Sequence, residues 1–263
     1  KPKLADLVSQ WAQRLWWAAA ALVVYTYAVY PVVLLLLTWR RRDPALKASR
    51  QWPTASLILA AHNEAKVIRQ KLENALALEY AAGRLQVILV SDGSTDGTEA
   101  IAAEYADRGV QTLALHQNQG KTAAQNAAAR LATGEVLVFS DANSMYAPDA
   151  VQELVRPLAD PRVGCVCGEL RYTSSAQNPA GKGEGLYWRY ERFLKRRESL
   201  LGSALGANGS IYAVRRPLFA ELDPDIISDF IMPIRIRRAG YRVVYQPAAV
   251  AVEGAGNSFQ DEF

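Results

Sequence analysis

Cysteine is almost missing from this chain: two residues, Cys165 and Cys167 in "VGCVCGEL", stand among 263. On a strand their spacing turns both to the same face. No second cysteine or histidine pair accompanies them to complete a zinc set. The two thiols therefore read as reduced core residues, in keeping with a cytosolic domain. Also missing is any basic stretch threaded with aromatics of the kind that stacks bases, so nucleic acid is not among the expected partners. The formal charge of +4 and a pI near 9.0 suit an anionic membrane surface or a phosphate-bearing ligand without requiring either.

A third absence is local. From Leu15 to Trp39 no charged side chain occurs, a run longer than the roughly 20 residues that cross a bilayer. Trp16, Trp17 and Trp39 stand near its ends, where indoles favour the headgroup region. No small-residue cleavage site follows, which argues against a signal peptide, and a buried core helix is the plainer alternative. Pro31 predicts a kink inside the run. Arg40, Arg41, Arg42, Lys47 and Arg50 follow it, against Lys1, Lys3 and Arg14 before it. That asymmetry predicts a helix in the plasma or inner membrane with the bulk of the chain in the cytoplasm.

What is present after the run is alternation. Residues 1–14 read as a flank, 15–39 as the transmembrane helix and 40–53 as a basic linker. Then "ASLILA", "LQVILV", "QTLALH" and "EVLVF" read as strands, separated by the helical patterns "NEAKVIRQKLENALAL", "STDGTEAIAAEYA" and "KTAAQNAAARLA". Near-continuous apolar strands in repeated βα units predict an α/β fold with a mainly parallel sheet covered on both faces. The second half is less regular: a strand "RVGCVCGEL", a long helix "GLYWRYERFLKRRESLL", a strand "GSIYAVR", a helix "DFIMPIRIRRAG", and two short strands, "YRVVYQ" and "AVAVE". With no repeat or internal linker, 54–253 is expected to be one domain. The ending "GAGNSFQDEF", 254–263, lacks a closing element and reads as the start of a further region.

Two of the strands end alike, "VILVSDGSTDGT" and "VLVFSDANS", each delivering Ser-Asp at its carboxyl end. If they are neighbours across a topological switch point, Asp92 and Asp141 face one crevice; the alternative for Asp92 is a helix cap. His62, Asn63 and Glu64 follow the first strand. Lys121 opens the third helix, where the macrodipole disfavours a cation, and a phosphate shared by the lysine and the free backbone N–H groups would account for it. A solvated lysine is the alternative. "QGKT" is no P-loop, since position 115 is Leu, and "GKGEG" lacks the preceding strand of a dinucleotide fingerprint.

Taken in order, "SLILAAHNEAKVIRQKLEN", "VSDGSTDGT", "GKTAAQN", "FSDANS", "GANGSIYAVRR" and "SDFIMPIRIRRAGYRVVYQPAAVAVE" resemble the family 2 glycosyltransferases, particularly their membrane-bound, polysaccharide-synthase-like members. The resemblance implies a GT-A fold, a nucleoside-diphosphate sugar donor such as a UDP-sugar, a divalent cation (Mg²⁺ or Mn²⁺), and inversion at the anomeric carbon. It further implies that Ala61 and Glu64 line the nucleoside, that Asp92 contacts base or ribose, and that Lys121 lies near the nucleotide. Asp141 and Asn143 fall on the two acidic positions of the DxD motif, which holds the metal on the diphosphate. Asp229 matches the catalytic base, with Ser228 before it where Glu or Asp is usual. Asn208 and Gly209 fall where the acceptor site is shaped, and Trp188 on a helix that faces the acceptor. The Gln-Arg-Trp signature of processive synthases is not visible before Phe263.

Residue chemistry is compatible with that transfer. A hard cation accepts an Asn carbonyl as well as a carboxylate, although Asn143 supplies less charge. An Asp can take the acceptor's proton, and for Asp229 the alternative is an N-cap. Arg235, Arg237 and Arg238 on the same helix mix solvated with diphosphate-facing roles. The helix Gly185 to Leu201 carries Trp188, Tyr190 and Phe193 among five basic residues; it suits a lipid surface or plain solvation. The expected acceptor is a glycan. A polyprenyl phosphate, giving a lipid-linked sugar, and a non-catalytic nucleotide-sugar-binding subunit are the competing readings.

Overall fold

The computed structural model describes residues 4–41, 52–173 and 180–254. The expected linker therefore lies mostly outside the described residues, as do the segment 255–263 and the flanking Lys1 and Lys3. Two compact units make up the chain, Lys1–Asp43 and Pro44–Phe263.

The first unit is helical: α1 (Leu4–Val24), a π-helical turn (Tyr25–Val29) and α2 (Tyr30–Thr38). Pro31 sits in the first turn of α2. Proline cannot donate to the fourth residue before it and crowds that carbonyl, and the wider π turn immediately upstream absorbs the misfit, so the helix continues. Gln10–Thr38 is long and apolar enough to cross a membrane, with a mean hydropathy of 2.2. Its large apolar side chains, Trp16, Leu22 and Leu36 among them, are exposed, unlike those of a core helix. Its two threonine hydroxyls bond back into the helix, Thr26 donating to the carbonyl of Leu22 and Thr38 to that of Leu34.

In the second unit the strands are β1 (Ala55–Ala61), β2 (Leu85–Asp92), β3 (Val110–Leu115), β4 (Val136–Asp141), β5 (Ser144–Tyr146), β6 (Val163–Thr173), β7 (Tyr212–Arg215) and β8 (Arg242–Gly254). They form one sheet in the order β3-β2-β1-β4-β7-β6-β8-β5. The β3-β2-β1-β4 half is parallel throughout. In the other half β7 is antiparallel to both neighbours, β6 and β8 run parallel, and β5 is antiparallel to β8. Alternate residues explain the apolar runs. Leu57 and Leu59 of β1 and Val136 and Val138 of β4 join one core with α3 (Ile68–Leu76), α4 (Thr98–Ala103) and α6 (Ala150–Val155). Ile58, Leu137 and Phe139 join the other, with α5 (Lys121–Leu131) and α8 (Ser228–Arg238). The remaining long helix, α7, spans Ala180–Leu201.

Several expectations change. The strands ending in Asp92 and Asp141 are not neighbours, because β1 lies between them. The last two short strands are one strand, β8, whose pairing with β6 breaks between Cys167 and Glu169. Pro247 falls in that break, having no N–H for the ladder. Helix α3 starts at Ile68, later than expected: Asn63 takes a left-handed conformation (φ 55°) that Asn tolerates, and a turn follows before the helix begins. The three-residue β5 was not anticipated. Both cysteines are free and buried.

Candidate active site

At the carboxyl ends of β1, β2 and β4 the chain leaves a cavity of about 360 Å³. Ala61, His62 and Glu64 line it from the β1 loop, Asp92 from β2, Gly120 and Lys121 from the start of α5, and Asp141 and Asn143 from the turn after β4. Parallel strands deliver groups at their carboxyl ends, and the switch in strand order between β1 and β4 opens the crevice there.

Asp92 is turned inward. Its two carboxylate oxygens accept from the backbone N–H groups of Gln119 and Gly120, each at 2.8 Å, so it holds the approach to α5. His62 Nδ1 donates to the Asp92 carbonyl at 2.6 Å. Gly93 has φ 64°, and a Cβ there would come within 2.5 Å of the Asn118 nitrogen; only glycine lets the two segments close. Asn63 joins the β1 and β2 loops, its Oδ1 accepting from Thr95 N at 2.8 Å. Burial raises the Glu64 carboxyl above its ordinary value, and the charges of Asp141 and Asp96 add to the rise.

Asp141 is the hub. Its Oδ1 lies 2.5 Å from the Lys121 ammonium, and its Oδ2 accepts from the Ser210 hydroxyl at 2.9 Å. Asn143 is exposed at the lip. Among the described residues no group of three or more His, Cys, Asp or Glu could hold a metal ion. The donor set at this turn is one carboxylate and one amide carbonyl. That set fits a hard cation that takes its other oxygen ligands from a diphosphate and water, and would not make a closed structural site.

Asp229 lies in the first turn of α8. Among the described residues its carboxylate forms no hydrogen bond or ion pair. A Cβ built on Gly209 would lie 2.8 Å from Asp229 Oδ2 and 2.9 Å from Lys121 Nζ, so the carboxylate, the ammonium and the bare glycine meet at one point. Helix α5 fixes the segment leading to Asp229. Thr122 donates to the Ile226 carbonyl at 2.6 Å, Asn126 to that of Leu222 at 2.7 Å, and the Ser228 hydroxyl to Gln125 Oε1 at 2.6 Å. Lys121 and Asp229 are thereby referenced to one rigid helix. Ser228 is buried and tied to Gln125 rather than directed to the cavity.

Asn208 faces its own turn, its Oδ1 accepting from Ser210 N at 3.1 Å. Trp188 is not among the residues around the cavity; it packs on Tyr172 and Tyr187, with ring centroids at 4.8 and 5.2 Å. Arg235 donates to the Glu221 carbonyl at 3.1 Å, while Arg237 and Arg238 are exposed. Sequence reasoning missed Ser210 and Lys71. Lys71 is fully buried under the Asp141 turn, donating to the Ser140 hydroxyl at 2.8 Å and to the Ser144 carbonyl. Burial pulls its ammonium down to about 7, against the opposing pull of Asp141 and Glu253. A signal existed: Lys71 falls on the same helical stripe as Ile68, Leu72 and Ala75, where a charge needs a reason.

Comparison with known proteins adds a family. Over residues 56–223 the chain matches the model for Glycosyl transferase family 2. The probable glycosyltransferase YdaM of Bacillus subtilis is 27% identical over 240 residues, covering 82% of this chain and 54% of that protein. A poly-beta-1,6-N-acetyl-D-glucosamine synthase of Staphylococcus aureus is 27% identical over 202 residues, 74% of this chain and 48% of the synthase. The chain thus spans about half the length of the curated relatives it matches. Among solved structures, the mannosyltransferase PcManGT of Pyrobaculum calidifontis, in complex with GDP-Man and Mn²⁺, is similar with a TM-score of 0.77 at 26% identity, over 92% of this chain and 69% of that one.

Proposed function

The chain belongs to glycosyl transferase family 2 and has the GT-A fold, and we propose that it acts as a glycosyltransferase that transfers a sugar from a UDP-sugar to a glycan acceptor with inversion. One observation carries the reading: Asp141, Asn143, Lys121 and Asp92 converge on a single cleft, and Asp229 stands beside Lys121 across Gly209. Asp229 takes the proton of the attacking hydroxyl, a role supported by its having no ion-pair partner among the described residues. Lys121 and the N-terminus of α5 balance the charge that grows on the departing diphosphate. Asp92 keeps the α5 approach in place, and Ala61 and Glu64 flank the nucleoside. Asn208 and Gly209 shape the acceptor side, with Trp188 further along it.

Asp141 and Asn143 would hold Mg²⁺ or Mn²⁺. When bound, the ion would neutralise charge on the diphosphate oxygens. Support comes from the donor set at the turn and from PcManGT, whose structure contains Mn²⁺.

The choice of UDP and of an N-acetylhexosamine follows the sugar in the name of the Staphylococcus synthase. For the organisation we propose an anchoring helix at 15–39, a linker at 40–53 and a catalytic domain at 54–253, with the helix in the plasma membrane and the domain on its cytoplasmic side. Supporting this are the apolar helix Gln10–Thr38 and the five cationic residues after it.

The test is nucleotide release by membranes carrying the full-length protein. UDP-N-acetylglucosamine, other UDP-sugars and GDP-mannose are offered with and without Mn²⁺, followed by extraction of product into organic solvent. Metal-dependent release from a UDP-sugar with product in the aqueous phase is expected. Release from GDP-mannose alone would overturn the donor, and an extractable product would replace the glycan acceptor with a polyprenyl phosphate.

A further inference from the structure

A buried lysine is expensive, and a helix of this amphipathic kind could have filled the position with leucine. Lys71 is 1% exposed, and its ammonium is spent on two neighbours that bracket the Asp141–Asn143 turn. It donates to the hydroxyl of Ser140, the residue before the turn, and to the carbonyl of Ser144, the residue after it. Its third direction faces the ring of Tyr146, with 4.3 Å from Nζ to the ring centroid. The Tyr146 hydroxyl reaches the carbonyls of Phe139 at 2.9 Å and Ser210 at 3.2 Å. Ser210 in turn donates to Asp141 Oδ2. From the other side the Ser144 hydroxyl is bonded to the buried Glu253, and Ser144 pairs with Glu253 across β5 and β8. The turn is therefore clamped at both ends by one cation and closed below by one tyrosine.

We propose that Lys71 is a positioning residue for cation binding: it clamps Ser140 to Ser144 so that the Asp141 carboxylate and the Asn143 carbonyl stay set to receive a divalent ion. The inference rests on the reading of Asp141 and Asn143 as the ion's ligands. A two-residue donor set on a turn cannot afford to reorganise, since each degree of freedom frozen on binding weakens it. The clamp freezes them beforehand. A charge on Lys71 would repel the ion, an effect opposite in sign to positioning, and the Mn²⁺ titration reads which of the two is larger.

The experiment titrates Mn²⁺ by electron paramagnetic resonance, in the presence of UDP, on the full-length protein in detergent. It compares the wild type with Lys71→Met and Ser140→Ala, each followed by thermal unfolding. Lys71→Met is expected to weaken Mn²⁺ binding by about tenfold and Ser140→Ala by about threefold. Neither variant changes the UDP affinity measured without metal, a readout that a general loss of packing would move. Folded Lys71→Met with unchanged or tighter Mn²⁺ binding would overturn the inference. If Lys71→Met does not fold, unchanged binding in Ser140→Ala overturns it and a threefold loss supports it. Wild type that takes up no Mn²⁺ with UDP present would overturn the metal assignment itself, and the clamp with it, which is a different failure from wild-type binding that the variants leave unaltered.

Discussion

Lys121 Nζ and Asp141 Oδ1 stand 2.5 Å apart, although one opens α5 and the other ends β4. The lysine side chain is 42% exposed and the aspartate 26%, so solvent screens the pair and its contribution to stability is small. Its value lies in placement: the cation is held over the groups proposed to bind the ion and within contact distance of the Gly209 position. Lys121→Met is expected to leave thermal unfolding within a few degrees of wild type and to raise the KM for the donor roughly tenfold, since charge-assisted hydrogen bonds to phosphate are worth about 1.5–3 kcal/mol. Steady-state kinetics against donor concentration will check it, and an unchanged KM would separate Lys121 from the diphosphate.

Asp229→Asn keeps the shape of the side chain and removes its basicity. General bases typically contribute 10²- to 10⁴-fold, so kcat should fall by about that range while UDP affinity, measured by calorimetry, stays within about twofold. Full turnover in this variant would sink the base assignment. Loss of both turnover and UDP binding would instead mean that the residue supports the donor site.

Much of the site was legible because the chain writes it at strand ends. β1, β2 and β4 are buried on both faces, which makes them apolar runs, and the polar residue that ends each run is the one delivered to the crevice. Other parts depend on partners distant in sequence. β5 exists only because Ser144 to Tyr146 find Ala251 to Glu253 on β8, a pairing no local pattern announces. Asp92 stands at a strand end, where the family resemblance implies a base or ribose contact; what no local pattern announces is that its oxygens also accept from backbone groups 27 and 28 residues later. Ser210 carries no pattern at all; its meaning comes from the fold bringing β7's approach alongside Asp141.

Gly209 offers a test of crowding. A methyl group there would meet Asp229 Oδ2 at 2.8 Å and Lys121 Nζ at 2.9 Å. Both opposing atoms are the ends of side chains that can swing away, so Gly209→Ala should fold with little loss of stability. The displaced pair is the proposed base and the proposed phosphate partner, and misplacing reacting groups by about 1 Å can cost 10²-fold. We expect kcat/KM to fall by at least tenfold with the unfolding temperature nearly unchanged. Activity within twofold of wild type would show that this junction is not where the reacting groups meet.

Asn143 is the neutral member of the turn, and its substitution has a signed outcome. The cleft already holds Asp141, Glu64 and Asp92, with Lys121 the lysine among its described lining residues, so another carboxylate is repelled by its acidic neighbours until a cation arrives. Divalent cations are bound more tightly as ligand charge rises, and the added charge sits at the exposed lip, where it costs little to ionise. Asn143→Asp should therefore lower the Mn²⁺ concentration for half-maximal activity about three- to tenfold, with little change in KM for the donor at saturating metal. Equal or weaker dependence on Mn²⁺ would remove Asn143 from direct contact with the ion and leave Asp141 as the turn's sole ligand.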